Sequence, residues 1–143
     1  MILHNPQECI SYSLIQISKA HRRRAEIALG ELGLYPGQEM ILFQLWAEEG
    51  VTQSHLVENL CVEPPTVTKT LQRLERAGFV ERRQDADDAR ITRVYLTPQG
   101  RELQAPVQQI WEELEAATIG GLSEIEQALL RRLLLQVQNN LEK

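Results

Sequence analysis

A mainly helical chain with one small β-hairpin, an α+β fold dominated by α, is what the sequence predicts. Three observations point there. Apolar residues recur at helical spacing along most of the 143 residues; only two short runs, Phe79–Arg83 and Ile91–Leu96, alternate as strands do; and Gly, Pro and Thr/Ser punctuation falls between the periodic segments. Hydrophobic residues make up 43% and aromatics only 5%, so the core is expected to be Leu, Ile, Val and Ala. The length suits one compact domain, or two small lobes sharing a core.

From about Pro6 to Leu32 the pattern suits a long helix, with Ile10, Leu14, Ile17, Ala20, Ile27 and Leu32 keeping roughly one face and Gly33 as terminator. Tyr35-Pro36-Gly37 breaks the chain, and Pro36 suits the first turn of a second helix carrying Met40, Ile41, Leu42, Leu45 and Trp46 and ending near Gly50. Thr52 is a good N-cap for a short helix through Leu60. After a turn at Cys61–Glu63, Pro64 and Pro65 open a helix to Ala77, where their missing N–H groups do no harm, and Gly78 ends it. The two strands follow, joined by an exposed loop at Asp85–Ala89. Thr97-Pro98 starts another helix, which Pro106 should bend; Gly120-Gly121 ends it, and Ser123 with Glu126 forms a capping box for the last helix.

Assigning 100° per residue to the helix at 65–77 puts Val67, Leu71 and Leu74 on one side, which must face the core. Opposite them lie Pro65, Thr66, Lys69, Gln72, Arg73 and Arg76, with Thr68 on the border. A helix of this kind fits the major groove of B-DNA. Thr can bond a base or meet a thymine methyl, Lys and Arg reach phosphates or guanine, and Gln pairs with adenine. The bland alternative is a solvated helix face. The directly following hairpin argues against it, because its loop carries Arg90, a residue suited to a narrow minor groove. Asp85, Asp87 and Asp88 would repel phosphate unless one of them pairs with and orients that arginine. The formal net charge of −5 neither supports nor excludes nucleic acid, since affinity for phosphate depends on where the cations sit. The order is that of a winged helix-turn-helix.

The run Asp88-x-Arg90-x-x-x-Val94-x-Leu96-Thr97 resembles the wing signature of the multiple-antibiotic-resistance regulator (MarR) family, and PPTVTKTLQRLERAGFVERR resembles its recognition helix and first wing strand. The helix order is similar along essentially the whole chain. The resemblance implies one MarR-type domain over 1–143, with a winged helix-turn-helix lobe at 36–97 and a helical dimerisation lobe at 6–33 and 98–141. It also implies a homodimeric regulator of transcription that binds a palindromic operator in double-stranded DNA, often as a repressor, released by a small phenolic or aromatic effector or by oxidation. On this reading Pro65, Thr66, Thr68, Lys69 and Arg73 face the major groove, joined by Gln72 from the helix face, and Arg90 enters the minor groove with Asp88 as ion-pair partner. A dimer is expected independently. Leucines 129, 130, 133, 134 and 135 spread around more than one face of the last helix, and such a helix is buried, here most simply against a second subunit; the alternative is an intramolecular three-helix bundle.

Other signals are weighed against plain packing. Cys9 lies where the peroxide-sensing branch of the family has a reactive cysteine, with Tyr12 and Tyr35 as candidate neighbours and Arg24 where a partner tyrosine is expected; the alternative is an ordinary half-buried thiol. Tyr12, His21, Tyr35, Trp46 and Trp111 could line a ligand pocket between the lobes, or simply be core. Cys61 lacks the second cysteine of a chelating pair, and His4, His21 and His55 have no ligand spacing, so neither metal nor cofactor is expected. No phosphate loop or nucleophile motif suggests an enzyme. Without a secretory leader, an apolar span of membrane length or a disulfide framework, a cytoplasmic protein without membrane contact is expected. The competing function is a winged-helix module that binds another protein.

Overall fold

The computed structural model describes residues 5–143. The chain enters through a 3₁₀ turn, Pro6–Glu8, and then forms α1 (Ile10–Gly30), α2 (Gln38–Ala47), β1 (Val51–Thr52), α3 (Gln53–Leu60), α4 (Pro64–Arg76), β2 (Val80–Gln84), β3 (Thr92–Leu96), α5 (Pro98–Glu102), α6 (Gln104–Thr118) and α7 (Glu124–Leu141). It is a winged-helix fold, mainly α with a small antiparallel sheet in the order β1-β3-β2.

Helix ends follow the local chemistry. At the end of α1, Leu34 N–H donates to the Leu29 carbonyl and Gly33 N–H to that of Gly30, with Gly33 at φ +78°. This is a Schellman closure, and both apolar residues of its clasp, Leu29 and Leu34, are buried. Gly78 closes α4 the same way, with Phe79 N–H donating to Leu74 and Gly78 N–H to Glu75. The Thr52 hydroxyl caps α3 by accepting from His55 N–H, and Ser123 and Glu126 form the reciprocal capping box of α7.

Four expectations need correction. Cys9 is extended, so the first helix begins at Ile10 rather than Pro6. Pro36 lies outside α2, which starts behind Gly37 in a left-handed conformation. A third strand, β1, pairs Val51 with Val94 and Thr52 with Arg93. The helix expected from Pro98 is two helices: Pro106 offers no N–H to the carbonyl four residues back, and the break falls at Leu103, between α5 and α6.

The core joins α2, α3, α4, the sheet and the start of α6 through Ile41, Leu42, Leu45, Leu56, Val67, Leu71, Leu74, Val80, Val94 and Val107. Truncating a leucine such as Leu71 to alanine would cost about 2–5 kcal/mol. The long helices contrast with this core. On α1, Ile10, Ile15, Ile17 and Ile27 are exposed, and α7 buries none of its residues. Among the described residues no helix is long and apolar enough to cross a membrane.

Candidate nucleic-acid interface

The outward face of α4 follows from its inward one. Val67, Leu71 and Leu74 are buried, as their spacing requires, so Pro65, Thr66, Lys69, Gln72, Arg73 and Arg76 are left exposed on the other side. Pro64 and Pro65 occupy its first positions, where two of the unpaired N–H groups of a helix start are missing anyway. The preceding turn bends at Cys61, the one non-glycine residue with positive φ (51°) among the described residues, which swings α3 across the base of α4.

Thr68 is half-buried and differs from its neighbours. Its hydroxyl donates to the Pro64 carbonyl at 3.0 Å and accepts from Gln53 Nε2 at 2.9 Å. The Thr70 hydroxyl likewise donates back to the Thr66 carbonyl at 2.8 Å. Of the two roles open to a threonine, a bond to a base or contact with a thymine methyl, the Thr68 hydroxyl has no proton left for the first, since its only donor is used within the chain.

The wing is an ordered loop. Asp85 N–H donates to the Ile91 carbonyl and Ile91 N–H to that of Asp88, closing the loop above the last β2–β3 pair, Gln84 with Thr92. Asp88 grips Arg90 twice, accepting from Nε at 3.1 Å and Nη2 at 3.2 Å, and it also accepts from the Arg90 N–H. The Arg90 side chain nevertheless stays 91% exposed, held at the loop but open to solvent. Asp85 does the corresponding work below it. One carboxylate oxygen accepts from the N–H groups of Asp87 and Asp88, and the other from Arg93 Nε at 2.6 Å, while Arg93 Nη1 reaches the Gly50 carbonyl. The bonds from Arg90 and Arg93 hold the carboxyls of Asp88 and Asp85, respectively, below the usual aspartate range. Asp87 has no arginine partner among the described residues.

Between the wing and the start of α3 and α4 lies an open cleft of about 680 Å³, lined among others by Thr52, Gln53, Pro64, Thr68 and Arg90. The remaining arginines of the hairpin are also paired, Arg82 with Glu75 of α4 and Arg83 with Glu81, and Arg83 lies over the Tyr95 ring at 4.5 Å. Sequence reasoning missed the Arg93–Asp85 bridge and Gln53. The aspartates offered a signal for the first, because a wing with three acids needs more than one cation to hold it together.

The other candidates are dispersed. Trp46 and Trp111 both meet Phe43 edge-on, at centroid distances of 5.3 and 5.8 Å, and Trp46 Nε1 donates to the Gly100 carbonyl, so this aromatic cluster packs α2 against α5 and α6. Tyr35 lies instead beside Arg73 and Arg76, His21 in a groove with Ile17 and Leu114, and Tyr12 is half-buried on α1. Within one chain these five residues do not line a common pocket. Cys9 is half-buried at the start of α1, and Cys61 is exposed. Among the described residues no three metal-ligating side chains gather; His4 lies outside them.

Residues 34–92, from the end of the α1 loop to the first residue of β3, match the MarR family. This protein belongs to that family. The family match holds every α4 residue singled out above and the wing loop with Asp85, Asp88 and Arg90; Arg93 lies one residue beyond it. Over 128 residues the chain is 28% identical to the transcriptional regulator HosA of Escherichia coli, covering 90% of this chain and 93% of HosA. It is 24% identical over 127 residues to YybA of Bacillus subtilis, an HTH-type transcriptional regulator, covering 89% and 85%. The S. aureus MepR structure, solved as a complex with DNA, superposes with a TM-score of 0.86 at 28% identity, covering 92% of this chain and 98% of that one. The chain is thus a MarR-family transcriptional regulator with a winged-helix fold.

Proposed function

We propose that the protein binds a palindromic operator in duplex DNA as a homodimer, with α4 in the major groove and the wing arginine in the minor groove, and acts as a repressor. The observation that carries this reading is the pairing of two surfaces: a polar, exposed α4 face, and beside it a wing whose aspartate orients a fully presented Arg90. The relative MepR, crystallised with DNA, supports the same assignment. Pro65, Thr66, Lys69, Gln72 and Arg73 read or approach the major groove, and Thr68 lies at its edge.

The dimer rests on the apolar residues that the single chain leaves open. Ile125 is 81% and Leu133 45% exposed on α7, and Ile17 and Ile27 are open on α1. Residues 6–33 and 98–141 form the dimerisation lobe, and 36–97 the DNA-binding lobe. Two α4 helices related by a two-fold axis then meet successive major grooves about 34 Å apart. Release comes from a small phenolic or aromatic effector, or from oxidation at Cys9, that favours a dimer with its helices wrongly spaced. Such a signal works only through its difference in affinity for the two states. The setting is cytoplasmic, where DNA is accessible.

Selection of bound duplexes from a random library at near-physiological salt tests this reading. The expected result is an enriched palindrome with half-sites one helical turn apart. No enrichment by folded, dimeric protein would overturn it in favour of a winged helix that binds protein.

A further inference from the structure

We propose that Gln53, which lies on α3 and outside the recognition helix, is a specificity-determining positioning residue: it locks Thr68 so that the threonine offers DNA its methyl group rather than its hydroxyl, and thereby selects thymine. This rests on the DNA-binding reading above and adds a base preference to it.

A threonine hydroxyl has one proton to donate and two lone pairs. In Thr68 the proton goes to the Pro64 carbonyl, one turn back on α4, at 3.0 Å. Gln53 Nε2 donates into one lone pair at 2.9 Å. The two partners belong to different helices, so together they fix rotation about the side-chain bond more firmly than the bond to Pro64 alone. A hydroxyl bonded only to its own helix, as that of Thr70 is to the Thr66 carbonyl, has a single bond to give up on turning. With Gln53 in place, turning the Thr68 hydroxyl outward breaks two bonds. Both residues line the cleft that Arg90 overlooks, where they are half-buried rather than fully solvated. With its proton committed to Pro64 and one lone pair to Gln53, the hydroxyl has nothing to donate to a base acceptor and keeps a single lone pair; the other group Thr68 offers is Cγ2, and the apolar feature of a major-groove edge is the thymine 5-methyl.

The test uses the full chain and the operator found by selection, with each thymine replaced singly by uracil, which lacks only that methyl. Wild-type protein is expected to lose about 4-fold in affinity at one thymine of a half-site, and about 15-fold when both half-sites are replaced, the value of one buried methyl per contact. Thr68→Val, which keeps a methyl and drops the hydroxyl, retains that sensitivity. Thr68→Ser, which keeps the hydroxyl and drops the methyl, loses it. Gln53→Ala loses most of it at that same position while the preferences at other positions stand, with folding verified by circular dichroism. A thymine-to-uracil ratio unchanged in Gln53→Ala, or retained in Thr68→Ser and lost in Thr68→Val, overturns the proposal while leaving the DNA reading intact. A wild-type protein that enriches no sequence overturns both.

Discussion

Gly100→Ala is expected to destabilise the protein severely, although alanine is the better helix former. Gly100 sits in α5, where the helix is pressed onto the start of the wing. A Cβ built there falls 2.1 Å from the Phe79 carbonyl oxygen, 3.1 Å from the Phe79 carbonyl carbon and 3.2 Å from Leu96 Cδ2. The main obstacle is backbone, and that backbone is committed: the Phe79 carbonyl accepts from Thr97 N–H at 3.1 Å, and the Thr97 hydroxyl donates to the Gly78 carbonyl at 2.6 Å. Restoring ordinary separation moves α5 by roughly 1 Å and disturbs the Trp46 bond to the Gly100 carbonyl. Overpacking of this kind costs typically 1–3 kcal/mol and occasionally more. Because the obstacle is backbone, the upper value of about 3 kcal/mol applies; at about 2–4 °C per kcal/mol for a chain near this size, melting should fall by roughly 6–12 °C at fixed protein concentration, with a change in Trp emission. Gly30→Ala is the control. Nothing lies within 4 Å of a Cβ there, and the helical position should gain up to about 1 kcal/mol. A Gly100→Ala variant melting within about 2 °C of wild type would refute the close approach.

Other outcomes follow from the same geometry. Arg90→Ala should weaken operator binding by about tenfold or more while leaving the melting temperature nearly unchanged, because the side chain is almost wholly exposed; retained affinity with a large loss of stability would remove Arg90 from the interface. Leu133→Glu, on the open face of α7, should shift the protein to monomer in sedimentation without loss of helix content, and an unchanged dimer mass would place the interface elsewhere. Glu39 is buried behind the start of α2, where it accepts from Gly37 N–H, and burial raises its carboxyl above the usual value. The folded state therefore holds that proton more tightly than the unfolded chain, and stability falls as pH rises from the ordinary glutamate range through the raised value. Glu39→Gln, which keeps an acceptor and removes the charge, should melt higher than wild type at pH 7 and about level with it at pH 4. A lower melting temperature at pH 7 would mean that the helix-start bond to the carboxylate outweighs its desolvation.

What the sequence made legible was local. The α4 faces were readable because three apolar residues at helical spacing leave little freedom for the rest, and Gly78 and the Ser123–Glu126 box signal their caps by residue type. Features that depend on distant partners were not. Strand β1 has only two residues and exists because Val94 and Arg93 lie alongside, so no alternation could announce it. Pro106 predicted a bend, but the tight seat of Gly100 against Phe79, which docks α5 on the wing, depends on a distant partner and could not be read. By residue type Thr68 can bond a base or meet a thymine methyl; that its hydroxyl is committed, to Pro64 as donor and to Gln53, fifteen positions away, as acceptor, is visible only in the structure. The aromatic residues grouped by type as a pocket separate once Phe43 gathers the two tryptophans.

An acidic chain that binds DNA must limit its own repulsion, and the wing does so by neutralising itself. Arg82, Arg83, Arg90 and Arg93 each bind a carboxylate, so the hairpin contributes shape and one oriented guanidinium more than net positive charge. Among the described residues the cations of α4 without a carboxylate partner are Lys69, Arg73 and Arg76. With Arg90 added, the proposed dimer has about eight cations to set against phosphate, and each neutralised phosphate contributes roughly −0.9 to the slope of log affinity against log salt. The expected slope for the selected operator lies between about −4 and −7, measured by fluorescence anisotropy from 50 to 300 mM salt. Removing Lys69 by Lys69→Ala should flatten it by up to about 2, one contact from each subunit. A slope steeper than about −10 would require cations beyond this surface, and the basic run at Lys19–Arg24 on α1 would then have to touch DNA. A slope near zero would mean that phosphate is not what this face meets.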